Sequence, residues 1–268
     1  MKRSVLAVVL VLSMLFTLAA CGDDKNPGAY ELINSAIKKT EALDSADMKI
    51  VMNMSIDMDG FSMDVPVEYD VKAVDMQSES PKMNMVMKMG MLGMSVNVDC
   101  YVEDGYYYMY TMGQKMKVKA EAGDEYDALG QADELMVDLD AEYLKDVAIV
   151  SGADGKKTVK LEMDNDAFQE VFDELIGSTG DGAATGGNVT SIRIPEAHLE
   201  ITVDKNGYID TYKVAFEMEM TIESQGASYD AAVELDASIQ YNNPGTPVTV
   251  IAPDGYKDYP EVNPDTLG

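Results

Sequence analysis

Between Met83 and Met94 the chain reads MNMVMKMGMLGM, with Met83, Met85, Met87, Met89 and Met91 on every second residue. Only an extended strand puts such a set on one side. Successive side chains of a strand point to opposite faces, whereas a helix would scatter these methionines around its axis. The stretch therefore reads as a strand with one soft apolar face. Thioethers are flexible and polarizable, so that face can fill an irregular core or receive apolar guests of variable shape.

The same period of two recurs along the chain and sets the expected fold class. Met48, Ile50, Met52, Met54, Ile56 and Met58 alternate with Lys49, Asn53, Ser55 and Asp57, and Asp59-Gly60 makes a hairpin turn. Phe61 to Val71 alternates in the same way. Met94 to Val102, Tyr106 to Met112 and Gln114 to Ala120 follow the methionine ladder. Val147 and Ile149, then Val159, Leu161 and Met163, flank a turn at Ala153-Asp154-Gly155. Ile192 to Val203, Tyr212 to Ile222 and Ala231 to Tyr241 complete a set of about nine to eleven antiparallel strands, each apolar on one side only.

Helical spacing is confined to a few places. Leu32, Ile33, Ala36, Ile37, Thr40 and Leu43 share a stripe, which predicts a helix from about 29 to 43. Phe168, Val171, Phe172, Leu175 and Ile176 line a second, short helix, and the acidic stretch Glu121 to Leu144 suits helices or a loop. A sheet of that size must cover its apolar side. The expected fold is mainly β with a few helices (α+β): a curved antiparallel half-barrel with helices over its concave apolar face. From about 242 the tail carries Pro244, Pro247, Pro253, Pro260 and Pro264 and should run extended over the surface.

The N-terminus predicts export. Lys2 and Arg3 precede an apolar run from Val5 to Leu18, and the sequence then reads Leu18-Ala19-Ala20-Cys21. Residues 1–20 are read as a signal peptide whose ending resembles the bacterial lipobox, which would make Cys21 a diacylated N-terminus. Two acyl chains give stable attachment to a membrane. Residues 21–29, CGDDKNPGA, form a polar tether that reaches about 30 Å when extended. Residues 30–268 are taken as a single β domain. The expected location is the extracellular face of a cell membrane of Gram-positive type.

Charge excludes one class of partner. The formal net charge is −28, from 20 Lys+Arg and 48 Asp+Glu, and it becomes −30 once Lys2 and Arg3 are removed. Such a field repels phosphate backbones, so no nucleic acid is expected as a partner. Cys21 and Cys100 are the only cysteines, so no disulfide framework is expected. Cys100 alternates with Val98 and Val102 and should point to the apolar side.

Catalytic and metal signatures are weak. The sole histidine, His198, falls on the polar side of its strand, and neither Gly-x-Ser-x-Gly nor His-Glu-x-x-His occurs. The glycine-rich run Gly177 to Asn188 lacks the following helix of a phosphate loop. Asp204-Lys205-Asn206-Gly207 lacks the later acidic ligands of a calcium loop and reads as a hairpin turn. Lys115, Lys117 and Lys119 read as a solvated strand face. No catalysis, cofactor or resident metal is expected. The Met-x-Met runs leave Cu(I) as a lesser possibility, because thioethers are soft ligands.

Several stretches together carry a resemblance. The lipobox, YELINSAIKKTEALDSADMKIVMNMSID, the long meander, a mid-chain helix and the terminal YNNPGTPVTVIAPDGY resemble the lipoprotein-carrier superfamily of LolA and the LppX/LprG lipoproteins. The chain looks most like the uncharacterised secreted lipoproteins of Gram-positive anaerobes related to them. The resemblance implies a half-barrel whose concave face holds acyl chains. Met52, Met54, Met85, Met87, Met89, Phe216 and Met218 are then the candidate lining for a lipid or other apolar molecule. A sensor or scaffold role without cargo, acting through a membrane-protein partner, is the alternative.

Overall fold

The computed structural model describes residues 27–263 apart from 59, 79, 92–93, 120–143, 153, 164–187 and 225–226. The export signal, Cys21, the stretch 121–143 and the short helix expected around Phe168 lie outside the described residues.

Helix α1 spans Pro27–Glu41. Proline suits the first helical position because the amide it lacks has no partner there anyway. Pro27 and Gly28, expected in the tether, thus belong to the helix, which ends at Glu41 and not at the expected 43. Lys38 and Lys39 lie in the last turn, where cations complement the carbonyl end.

The strands are β1 (Ser45–Met58), β2 (Phe61–Val74), β3 (Lys82–Met91), β4 (Met94–Glu103), β5 (Tyr106–Thr111), β6 (Gln114–Lys119), β7 (Leu144–Ser151), β8 (Lys157–Met163), β9 (Asn188–Val203), β10 (Ile209–Ser224) and β11 (Ala227–Tyr241). They form one open, curved antiparallel sheet in the order β6-β5-β4-β3-β2-β1-β11-β10-β9-β8-β7. Two meanders therefore run outward from the middle. Strands β1 to β6 step to one edge, and β7 to β11 step back from the other until β11 pairs with β1.

Register joins the apolar faces of the two meanders into one. Val147, Leu161, Leu199, Val214, Ala237, Met52, Val67, Met89 and Val96 form one cross-strand row, from β7 through to β4. A slip of one residue at any pair would turn half the face to solvent, so one-sided hydrophobicity itself specifies this alignment. Pro66 explains where one ladder stops. It has no amide to give, and β2–β3 pairing ends beside it at Val67 and Met89.

The main core lies between α1 and the half of the sheet nearest β9. Tyr30, Ile33, Ala36 and Ile37 pack with Val159, Leu161, Leu199, Ile201, Tyr212 and Val214. Thr40 locks the helix onto β10: its hydroxyl accepts from the Ile209 amide at 2.9 Å and donates to the Ala36 carbonyl at 2.7 Å. The helix end is tied further to the β9–β10 hairpin. The Lys39 ammonium donates to the Asn206 carbonyl and lies 4.3 Å from the centre of the Tyr208 ring.

A second, smaller core forms on the opposite, outer face. The tail runs back from β11 and buries Tyr259 against Tyr101 and Tyr108, with Val250, Ala252 and Tyr256 alongside. It then adds to the β6 edge: the Lys117 amide donates to the Pro260 carbonyl at 2.8 Å, and the Val262 amide donates to the Lys117 carbonyl at 2.9 Å. Lys117 and Lys115, expected in a wholly solvated row, thus sit beside the tail. Lys115 lies 5.1 Å from the Tyr259 ring centre.

Candidate ligand-binding face

Each residue singled out from sequence as cavity lining falls on the apolar face. Met52 is opposite Ala237 and Val67 and is only 5% exposed. Phe216, Leu235, Met54 and Val65 share a second row, and Met218 stands opposite Val233. Met85, Met87 and Met89 are opposite Val71, Tyr69 and Val67 on β2, and opposite Cys100, Val98 and Val96 on β4. The sheet thus brings Met52 and Met89 into one row across Val67, and Phe216 and Met54 into another across Leu235.

These residues differ in what covers them. Met52 belongs to the cluster under α1, and Met54, Phe216 and Met218 border it. Met83, Met85, Met87 and Met89 are half-buried and belong to neither core cluster. Eleven strands at about 4.8 Å spacing make a sheet roughly 50 Å wide, whereas a 15-residue helix is about 22 Å long and about 10 Å across. Helix α1 packs chiefly against β7, β9 and β10. Among the described residues, no helix lies over the methionine half of the face.

Register also assembles a row that spacing along the chain does not reveal. Met85, Cys100, Met109 and Met116 are successive cross-strand neighbours on β3, β4, β5 and β6. Cys100 is buried on the apolar side. The row draws one residue from each of four strands, so only the pairing order could have identified it.

Polar groups inside the apolar face are mostly tyrosine hydroxyls. Burial pushes the Tyr212 hydroxyl well above the usual phenol range and raises Tyr30. Tyr241 is pushed up to about 12, chiefly by burial and further by the charge of Glu41. All three hydroxyls therefore stay protonated at neutral pH. The Tyr30 hydroxyl is fully enclosed and has no hydrogen-bond partner among the described residues.

The outer face is a different surface. Lys49 and Lys88 both pair with Glu68 at 2.9 Å, and Arg193 pairs with Glu219 at 2.8 Å. Hydrogen bonds from Lys88 and then Lys49 hold the Glu68 carboxyl below its ordinary range. A half-open groove of about 490 Å³ crosses the middle of this face, lined by Asn53, Asp64, Pro66, His198, Glu217, Glu234 and Asp236 among others. Met54, Val65, Phe216 and Leu235 also touch it. Each of these four sits between two outer-face members of the lining, so it contributes backbone to the floor.

Among the described residues no three His, Cys, Asp or Glu side chains are grouped so as to hold a metal ion. In the turn once compared with a calcium loop, the Asp204 carboxylate accepts from the Asn206 and Tyr208 amides at 2.8 and 2.9 Å. That carboxylate is committed to holding a hairpin. His198 is exposed on the outer face, where its place in the alternation put it.

The fold is that of an open antiparallel sheet with one apolar face, partly roofed by a helix, as the resemblance to lipoprotein carriers implied. Residues 28–254 match the model of a family of unknown function, DUF6612, and the chain belongs to that family. Among curated proteins nothing matches the chain. Solved structures similar to it include LprF from Mycobacterium bovis, with 18% identity, a TM-score of 0.45 and coverage of 87% of this chain and 100% of that one. A DUF1329 family protein from Desulfovibrio piger has 13% identity and a TM-score of 0.25 over 84% of this chain and 96% of that one. A putative outer membrane lipoprotein-sorting protein domain from Vibrio parahaemolyticus has 11% identity and a TM-score of 0.19 over 81% and 93%.

Proposed function

We propose that this protein is a lipid-anchored extracellular lipoprotein that binds or carries a lipid or other apolar molecule on the methionine half of its apolar face, without catalysis. One observation carries the reading: the apolar face runs unbroken across the register, yet α1 is too short to roof it and packs at one end. Burial of apolar surface would drive binding, at about 25 cal/mol for each Å² removed from water. Methionine suits that task because it adapts to guests of different shape.

Anchoring through a diacylated Cys21 would keep the face near the membrane from which such a ligand is drawn. The test is mass spectrometry of lipids that co-purify with the Cys21→Ser chain, which lacks the anchor. Expected are stoichiometric, non-covalent acyl lipids and loss of membrane association. An empty protein that also fails to bind acyl probes overturns the reading.

A soft-metal reading is favoured by a separate observation, the cross-strand row of Met85, Cys100 and Met109. A thiolate with two thioethers is a Cu(I) donor set. Competition with a Cu(I) chelator under reducing conditions tests it, and a Cys100→Ser chain that competes equally well removes it.

A further inference from the structure

The apolar face ends at a rim of hairpin turns. Strands β1 and β2 meet at Met58 and Phe61, β3 and β4 at Met91 and Met94, and β5 and β6 at Thr111 and Gln114. Because the strands alternate in direction, these three turns lie at one end of the sheet. Large apolar side chains there are turned out to solvent: Met112 is 81% exposed, Met94 64%, Phe61 50% and Met58 37%. Met58, Phe61 and Met94 have the parity of Met52, Val67 and Val96, so they continue the apolar face to its end.

Met112 is the residue that neither backbone nor packing explains. Its φ is +50°, in the left-handed region, and the other non-glycine residues with positive φ among those described are Asp75, Asp104 and Asn243. Aspartate and asparagine tolerate that conformation, whereas methionine is disfavoured in it. A side chain held at that cost and left exposed serves neither the turn nor the core.

The turns are stepped evenly and differ in charge from those at the opposite end. Relative to the row of Met52, Val67, Met89 and Val96, the β1–β2 turn closes six residues farther out at Met58, the β3–β4 turn two farther at Met91, and the β5–β6 turn two short, where Thr111 pairs with Val98. Such a stagger is what tilted strands of a curved sheet require for their ends to share one rim. Turns on one rim can meet a flat surface together. The turns at the other end carry Asp75, Glu103, Asp104, Asp154 and Asp204, whereas Met91 to Met94 and Thr111 to Gln114 carry no charge, and Met58 to Phe61 has only Asp59.

We propose that this rim is a membrane-contact edge, at which Met58, Phe61, Met94 and Met112 enter the headgroup region of a lipid bilayer. The proposal deepens the anchored-lipoprotein reading, adding a non-covalent contact to that of Cys21. The stretch from Cys21 to the helix start at Pro27 reaches about 20 Å when extended, so an anchored chain keeps part of its surface within that distance of the bilayer. At that surface the acidic rim would give up hydration of its carboxylates, while the methionine rim gives up only apolar contact with water. Docking by this rim also brings the end of the apolar face to the lipid.

The chain has no tryptophan, so a single one placed at either rim reports where lipid is met. Phe61→Trp at this rim and Met76→Trp, an exposed position at the other, are made in the Cys21→Ser chain without its export signal. Each is mixed with phosphatidylcholine vesicles whose acyl chains are brominated to quench a nearby indole. Expected are vesicle binding with a blue shift and quenching for Phe61→Trp, and neither spectral change for Met76→Trp. Met112→Asn relieves the left-handed backbone and should unfold no more easily than its parent, yet bind vesicles about fivefold more weakly. Absence of vesicle binding, equal quenching at both rims, or unchanged binding by a stably folded Met112→Asn overturns the proposal. Acyl lipids that still co-purify in that event leave the apolar face as a carrier, and an empty face beside a quenched rim refutes the carrier while upholding the edge.

Discussion

The Tyr256 hydroxyl donates to the Glu103 carboxylate and so ties the C-terminal tail to the end of β4 on the outer face. That bond, more than the nearby Lys82 ammonium at 3.3 Å, holds the Glu103 carboxyl below its ordinary range. A carboxyl whose folded pKa is depressed stabilises the fold fully above its unfolded value, about 4.3, and the contribution is lost as pH falls through the lower folded value. Tyr256→Phe should therefore lower unfolding free energy by about 1–2 kcal/mol at neutral pH. The difference from wild type should close as the pH falls below the carboxylate range. Urea unfolding followed at several pH values checks this, and a difference that stays constant with pH would show that Glu103 is not its source.

The latch between α1 and β10 depends on one hydroxyl. Replacing Thr40 by valine keeps the shape but leaves the Ile209 amide buried and unpaired, which should cost about 1–3 kcal/mol. Thr40→Ser keeps the hydroxyl and should cost less. Chemical unfolding of the two variants measures the difference. Equal losses would mean that packing of the Thr40 methyl, not the hydrogen bond, holds the helix.

The one-sided strands were legible because a period of two is written locally. Met48 to Met58 and Tyr212 to Ile222 alternate apolar and polar residues with one break each, at Val51 and Ala215, and no partner strand need be known to read them. The meeting of β1 with β11 was not legible. Met52 and Ala237 are far apart in sequence, and either meander alone presents an equally apolar face to any neighbour. The tail's docking site was hidden for a related reason. Tyr106, Tyr108 and Tyr110 fall on the side of β5 where polar residues were expected, and strands covered on both faces are apolar on both. That aromatic excess was the available signal. The Tyr30 orphan could not be seen at all, since satisfaction of a hydroxyl depends on atoms brought together by folding.

Burial divides the methionines into two kinds with different expected behaviour. Met52 is enclosed under the helix, so Met52→Ala should leave a cavity and cost about 2–4 kcal/mol. Met87 is half-buried on the part of the face that no described helix covers, so Met87→Ala should cost less than Met52→Ala, about 1 kcal/mol. The same Met87 change should weaken monolaurin binding several-fold. Unfolding and binding measured on both variants separate the roles; a large stability loss at Met87 with unchanged binding would make the ladder core rather than contact surface.

The start of the tail gives a controlled test of one steric contact. Gly245 has φ +81°, and a Cβ there would lie 2.9 Å from the Tyr208 ring and hydroxyl; Gly113 has φ +79° with open space around it. Both Gly→Ala changes carry the cost of a left-handed backbone, about 1–2 kcal/mol. Only Gly245→Ala adds a clash with Tyr208, whose ring the Lys39 ammonium also approaches. Gly245→Ala should therefore be the more destabilising by about 1–3 kcal/mol. In a Tyr208→Ala background that excess should vanish, because the cycle removes the contact and leaves the backbone term. If the excess survives without the Tyr208 ring, the turn at Gly245 is held by the backbone alone, and the tail does not depend on its contact with the β9–β10 hairpin.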